Sequence, residues 1–513
     1  MASRPERHPN DMRRTRRIAR RLAWLAVCAV PVFASDAFTA AERAWVEVTS
    51  PHFTVISDAG DRRAARAAWQ FEQVRAVLQR LWPWARIVTG KPMVIFAARD
   101  ETTLKSLAPV FWETKGGVRP ASIFVTGPDR HYVSLRADSD EPDSLQANPY
   151  FQSYWSYVYI TLQSSFDREL PMWLGRGLSD VFANTIVREK DVQLGRVVPW
   201  HLRTLREGSR LQLATLLSVD RQSPYITRED RSRLFDASAW ALVHYMAFGE
   251  DSANLPKLNR LLELVAKGGD VNASLAEVYG PIDRLDEAVH TYVGRTLFTY
   301  RLVGIDVNVP AEGFMRRPLS AAESAGVRAM LHATMRRPVE ARALAREASR
   351  ADAALPTPYE VEGLLSDQEG KKDTALAAYA KAGELGSASF YAYYRHAQLL
   401  WSQTLDKAAL QQIAASLDKT IRLNSNWAPG YSYLAEVRID LDDAEGALGL
   451  ARRAVVLEPG GSYHHATVAR ALARLSKADE ALKEAEKALA LAKTPSERER
   501  AEVLLAYVKR IPQ

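Results

Sequence analysis

The C-terminal part of this chain carries a repeat, and this repeat constrains the possible folds more than any other feature. Ala341 and Ala375 are 34 residues apart, as are Ala447 and Ala481, and each lies in an Ala- and Leu-rich helical context. A helical unit of this length buries its apolar face only by stacking on the next unit. The chain from residue 319 onward is therefore predicted to be an all-α solenoid.

Five units are predicted, and a last helix follows them. The step from Ala375 to Ala447 is 72 residues, two periods plus four, which places a small insertion near Ser402 to Ala409. Ser496 and Glu499 have the spacing of a capping box for a final helix that runs through Val508. The predicted units cover 321–353, 354–387, 388–425, 426–459 and 460–494.

The 34-residue period is that of tetratricopeptide repeats, which the segment 319–513 resembles. The resemblance implies a concave surface that binds a protein or peptide partner. Aromatic side chains and two histidines cluster in the third to fifth units, and most of them are predicted to be core. The predicted partner-binding residues are Tyr394, Trp401, Trp427, Tyr431 and His465.

The segment before the repeats mixes strand and helix patterns. Alternating residues predict a hairpin around Pro51, and Ala64 to Leu81 has helical apolar spacing. Pro92 to Ala97 reads as an apolar strand, and Gly127-Pro128-Asp129 separates two further strand patterns. The remainder, to about Leu302, reads as mostly helical. These patterns predict an α+β domain.

One stretch of this domain, Tyr150 to Phe182, reads as two helices joined by a turn at Leu170-Pro171. Its second helix contains Trp-Leu-Gly-Arg-Gly-Leu-Ser at 173–179, which resembles the W-L-x-E-G-L-A helix of gluzincin metallopeptidases. The segments 235–246 and 50–58 are similar to other parts of that peptidase MA-like family. The resemblance implies a gluzincin-like domain over 45–310.

The same resemblance implies that the residues of zinc chemistry are replaced. In an HExxH site two histidines and a downstream glutamate bind zinc, while the first glutamate activates water. Here Trp155 and Tyr159 stand in place of the histidines, Ser156 in place of the catalytic glutamate and Arg176 in place of the third ligand. No catalytic residue, metal or cofactor is therefore expected. Whether Trp155 and Tyr159 line a binding platform or fill the vacated cavity stays open.

Two further readings of this region remain open. Arg176 either attracts a carboxylate ligand or pairs with Asp180, one helical turn away, and the pair is the default. None of the ten histidines has another four residues away, so no helical pair of zinc ligands exists. His52, His131, His201 and His244 are the remaining candidates for zinc, although His244 on its apolar helix is predicted to be a hydrogen-bonded core residue.

The N-terminus predicts export. Eight arginines lie between Arg4 and Arg21, and the apolar run Leu22 to Ala34 is 13 residues long. This run is shorter than the roughly 20 residues that span a bilayer, so residues 1–40 are predicted to be a cleaved signal peptide with no stable membrane span afterwards. The mature chain is then close to neutral, which argues against a nucleic-acid partner. A periplasmic or secreted location is expected.

Together these patterns predict an exported, non-catalytic pseudo-metallopeptidase whose repeats bind a protein or peptide, as a scaffold or for substrate capture in the cell envelope. The alternative is an active hydrolase or peptidase that uses an unrecognised site.

Overall fold

The computed structural model describes residues 44–87, 90–113, 119–139, 146–166, 169–208, 210–249, 254–304, 311–403 and 406–511. The predicted signal peptide lies outside these ranges. Among the helices that they contain, none is both long and apolar enough to cross a membrane.

The part of the chain before residue 319, here called the lobe, alternates strands and helices. Its elements are β1 Val46–Thr49, β2 Phe53–Ser57, α1 Asp61–Leu81, β3 Met93–Ala98, α2 Glu101–Leu107, α3 Val110–Glu113, β4 Ser122–Thr126, β5 His131–Arg136, α4 Phe151–Ser165, α5 Met172–Ala183, β6 Ile186–Val187, β7 Asp191–Leu194, α6 Pro199–Glu207, α7 Leu213–Ser218, α8 Pro224–Thr227, α9 Glu229–Phe248, α10 Asn254–Ala266, α11 Val271–Tyr279, α12 Ile282–Val293, β8 Arg301–Gly304 and β9 Met315–Pro318.

The main sheet of the lobe has the strand order β4-β5-β3-β2-β1-β9. The predicted hairpins are confirmed, because β1 pairs antiparallel with β2 and β4 pairs antiparallel with β5. The central strands β2, β3 and β5 run parallel. A second small sheet, β6-β7-β8, was not predicted from the sequence. Its strands are two to four residues long, too short to show an alternating pattern.

The two faces of the main sheet bury different partners, as the alternation of side chains along a strand requires. Val55 and Ile95 face a core that also contains Phe71 of α1, Trp173 of α5 and Trp240 of α9. The neighbouring residues Ile56 and Phe96 face the opposite way, into a core that is shared with the C-terminal helices.

The predicted helical array is confirmed. Its second helices span 13 or 14 residues, except for the 17-residue α18, so the extra residues of the third unit lie partly in that helix. The helices form five pairs: α13 Ala321–Thr334 with α14 Pro338–Ala351, α15 Thr357–Gln368 with α16 Lys372–Glu384, α17 Phe390–Trp401 with α18 Lys407–Leu423, α19 Ala428–Asp440 with α20 Ala444–Leu457, and α21 Ser462–Arg474 with α22 Ala478–Ala490. A last helix, α23 Pro495–Val508, ends the array.

The start of α23 differs from the prediction. The capping box is formed by Thr494 and Glu497, not by Ser496 and Glu499. Pro495 explains the shift, because its fixed φ and missing N–H suit the first position of a helix. The helix therefore begins two residues earlier than the predicted cap allows.

The lobe and the array share a core and meet without a linker. Strand β9 lies beyond the predicted domain limit of residue 310 and pairs with β1. Ser320 then caps α13 directly. Arg317 on β9 bonds to both carboxylate oxygens of Glu47, at 3.0 and 3.1 Å, and to Glu323 of α13 at 2.6 Å. The shared core includes Trp45 and Phe96 from the lobe and Leu331 from the array.

Candidate functional site

Helices α4 and α5 carry the four motif positions and pack against each other. The rings of Trp155 and Tyr159 on α4 lie almost parallel, with centroids 5.1 Å apart and an angle of 9° between the planes. Ser156 on the same helix is buried, whereas both rings are half-buried. The two aromatic side chains thus cover each other while keeping part of their surface exposed.

Arg176 on α5 pairs with a partner that was not predicted. Its Nη2 atom donates to Oδ2 of Asp236 at 2.8 Å. The expected pair with Asp180 is wrong, because α9 packs on α5 and brings Asp236 within reach of the guanidinium group. Asp180 lies instead beside His201 of α6, with Nε2 and Oδ1 3.3 Å apart.

These charged groups line an open cleft of about 510 Å³ in the lobe. Trp155 and Trp200 also line it, and the Trp200 residue is 44% exposed and makes an edge-to-face contact with Phe151. The cleft combines apolar ring surface with hydrogen-bonding groups of both charges. It can therefore bind a polar organic ligand.

Asp236 is the most perturbed acid in this cleft. Burial raises the pKa of its carboxyl group to about 7; the nearby Asp180 carboxylate acts in the same direction, and Arg176 opposes it. A carboxyl group with this pKa exchanges its proton near neutral pH, as a general acid or base must. No local motif marks Asp236 in the sequence, because its neighbours Arg176 and Asp180 lie on another helix.

The four histidines that were considered as zinc ligands have separate contacts. His244 is fully buried, with Nδ1 2.8 Å from the Tyr292 hydroxyl and Nε2 2.7 Å from the Gly195 carbonyl oxygen. Burial lowers the pKa of His244 to about 4. His244 is thus a hydrogen-bonded core histidine, as predicted from its apolar helix. His52 bonds to Glu72, and His131 lies against Phe124. In the part of the chain that the structure describes, no three His, Cys, Asp or Glu residues converge as metal ligands.

The first helices of neighbouring units contact one another near both ends of the array, α13 with α15 and α19 with α21. Three of their neighbouring aromatic side chains, here called the aromatic row, are Trp401, Tyr433 and Tyr463. The ring centroids of Trp401 and Tyr433 are 5.8 Å apart, and those of Tyr433 and Tyr463 are 5.5 Å apart. All three side chains are half-buried, so the row presents ring surface to solvent.

The five residues predicted to bind a partner have different surroundings. Trp401 belongs to the aromatic row, and Tyr431 is half-buried near the start of α19. Trp427 packs against Phe390 and Tyr394, with centroid distances of 5.3 and 5.9 Å.

Tyr394 and His465 are buried in the array. The Tyr394 hydroxyl accepts a bond from Gln398, while the His465 ring lies 2.6 Å from Glu484 and 2.9 Å from the Pro459 carbonyl oxygen. These two side chains pack inside the array. The aromatic rings that reach its surface are instead those of the aromatic row, which includes Tyr433 and Tyr463.

Comparison with known proteins gave matches among solved structures only. No family model matches the chain. No curated protein matches it either. Similar solved structures include YrrB, "a TPR protein with an unusual peptide-binding site", with 16% identity and a TM-score of 0.31 over 36% of this chain and 92% of that one.

Two further structures are similar over a comparable length. The MamA protein has 19% identity and a TM-score of 0.29 over 35% of this chain and 96% of its own. A thermophilic TPR protein of Thermus thermophilus has 19% identity and a TM-score of 0.27 over 36% of this chain and 99% of its own.

Proposed function

We propose that this protein binds an extended segment of another protein on the first helices of units three to five, and that the lobe is a non-catalytic support. The observation that carries the proposal is the aromatic row, Trp401, Tyr433 and Tyr463, whose half-buried rings lie on the first helices of units three, four and five. Rigid aromatic side chains supply large contact area at a small cost in side-chain entropy, and they dominate many interfaces.

The lobe is proposed to be a gluzincin-like domain that has lost its metal. Support comes from the sequence resemblance of helices α4 and α5, which sets Trp155, Ser156, Tyr159 and Arg176 against the four metallopeptidase groups. By the same resemblance, Arg176, which bonds to Asp236, stands where the third zinc ligand would lie. Export to the cell envelope remains part of the proposal and rests on the basic and apolar pattern of residues 1–40.

The test is binding of the full chain to an array of unstructured 15-residue peptides, followed by titration of the best binder. Trp401→Ala and Tyr433→Ala are each expected to weaken binding by about fivefold or more, because truncating an anchor residue costs above about 1 kcal/mol. Tyr359→Ala is the matched control, since Tyr359 is also half-buried but lies in unit two. Absence of any bound peptide, or an equal loss in the control, contradicts the proposal.

A second candidate is a hydrolase that uses the cleft of the lobe. The pKa of about 7 at Asp236, next to Asp180 and His201, favours it. Cleavage of an unstructured protein substrate that is lost in Asp236→Asn and kept in Asp230→Asn, a change at an exposed residue of the same helix, supports this candidate. No cleavage by the intact chain rules it out for that substrate.

A further inference from the structure

A cavity in the described part of the chain lies between the lobe and the array. It has a volume of about 560 Å³. The lobe contributes residues at the start of β2, β3 and β5, and the array contributes residues from its first three units and from the junction with the fourth. Ligand sites commonly form at such junctions and have volumes of this order.

Both sides of this junction cavity supply apolar surface. Phe53 and Met93 line it from the lobe, and Val327, Met330 and Phe390 line it from the array. Asn424 closes one side, because its Nδ2 atom donates to the carbonyl oxygen of Gly90 at 2.9 Å and so joins the array to the lobe. Contacts between the lobe and the array, which share a core, thus fix the walls of the cavity.

The cations of the junction cavity are not all neutralised. Arg130 donates to Asp129 at 2.6 Å, so this pair carries no net charge. Lys91 donates to the carbonyl oxygen of Gly127 at 2.9 Å. Within the described residues, no carboxylate lies at ion-pairing distance from Arg75, which is half-buried on α1.

The two acids of the junction cavity do not compensate for Arg75. Both oxygens of Glu47 are engaged by Arg317 on β9. Glu360 is buried and accepts a bond from Ser387 at 2.6 Å, and burial raises its pKa, which favours the neutral form. The junction cavity therefore has an excess of positive charge, that of Arg75, next to its apolar side chains.

We propose that the junction cavity binds a ligand that carries a carboxylate on an apolar body, with Arg75 as the principal carboxylate-binding residue and Lys91 as the second cation. A planar guanidinium group without a carboxylate partner matches a carboxylate in a two-pronged geometry. The chemistry is that of an aliphatic acid or of the C-terminus of an apolar peptide. The site is separate from the aromatic row.

The experiment is calorimetric titration of the full chain with three probes: octanoate, a pentapeptide of apolar residues with a free C-terminus, and the same peptide as its C-terminal amide. Saturable 1:1 binding is expected for octanoate, for the free peptide or for both, and it identifies the source of the carboxylate. The amide is expected to bind at least about tenfold more weakly, because a charge-assisted bond is lost.

Substitutions test whether the probes bind in the junction cavity. Arg75→Ala is expected to weaken the carboxylate probe by about tenfold or more, and Arg75→Lys by less. Arg62→Ala is the matched control, since Arg62 is exposed on the same helix α1 and does not line the cavity. Val327→Trp fills the cavity from the array and is expected to abolish binding while the circular dichroism spectrum stays unchanged.

Three outcomes overturn the proposal: no saturable binding of either carboxylate, equal binding of the amide, or an equal loss in Arg62→Ala. Failure of the proposed peptide binding on units three to five is seen separately, because Trp401→Ala and Tyr433→Ala leave the junction cavity intact.

Discussion

The lobe and the array bury their side chains in different ways. In the array, alanines recur at equivalent positions of the second helices, and Ala341, Ala375, Ala447 and Ala481 are each fully buried. In the lobe, half-buried polar groups meet from distant parts of the chain, as when Arg176 reaches Asp236, 60 residues away. A repeated local contact builds the array, whereas single long-range contacts build the lobe. Because the two regions share one core, a substitution of a core residue in either region is expected to lower the stability of both.

The shared core gives the largest expected effect. Phe96 is fully buried on β3, between Trp45 and Tyr132, and belongs to the core that the lobe shares with the array. Phe96→Ala is expected to lower the free energy of unfolding by about 3–5 kcal/mol, because it removes buried ring surface and leaves a cavity. Chemical denaturation followed by tryptophan fluorescence and by far-ultraviolet circular dichroism checks this. The two signals are expected to shift together, and a shift in fluorescence alone contradicts a shared core.

A close contact inside one unit gives the next largest effect. A Cβ atom at Gly363 on α15 would lie 2.7 Å from the ring of Tyr379 on α16. Gly363→Ala is therefore expected to destabilise the chain by about 1–3 kcal/mol through overpacking.

The matched control for Gly363→Ala is Gly449→Ala on α20, where no atom lies within 4 Å of the new Cβ. Helix propensity predicts stabilisation by up to about 1 kcal/mol there. Denaturation midpoints of the two variants are expected to move in opposite directions. Movement in the same direction would show that the array does not pack as described.

The polar cleft of the lobe gives an effect of another kind, which depends on pH. The pKa of Asp236 is raised to about 7 in the folded chain, from about 3.9 in an unfolded one. The protonated carboxyl thus stabilises the fold fully below about pH 4, and this contribution is lost as the pH rises through about 7. The free energy of unfolding is expected to fall by at most about 1.4 kcal/mol per pH unit in this window.

Asp236→Asn is expected to remove that slope, as measured by denaturation at several pH values. Asp230→Asn, in the exposed first turn of the same helix, is expected to keep it. Arg176, Asp180 and His201 face the Asp236 carboxyl from α5 and α6, and they are unchanged in both variants. An unaltered slope in Asp236→Asn would assign the pH dependence to other groups.

The array could be predicted from the sequence, since its contacts are local and periodic. The repeat also shows in the backbone, where φ is positive at Arg336, Gly370, Asp442 and Ser476 in the turns within four of the units. The predicted start of α23 is two residues too late, because Pro495 takes the first helical position and Thr494 caps the helix.

Much of the lobe could not be predicted in the same way. Its hairpins and the helix pair α4–α5 follow local patterns, and the hydrogen-bonded His244 follows from its apolar helix. The partner of Arg176 does not, because Asp236 is placed by the packing of α9 on α5. The residues of the junction cavity are also far apart in the sequence, since Arg75 and Phe390 come from regions that only the folded chain brings together.

The pairing of β9 with β1 has a consequence for the order of folding. Glu47 and Arg317 are 270 residues apart. Because pairs this distant in the sequence form late, β1 lacks its outer neighbour while the rest of the sheet folds. During that time the sheet has an open edge, which a strand from another chain can join. Strand β1 is four residues long and carries Glu47, two features that discourage such pairing until the chain that begins the array closes the sheet.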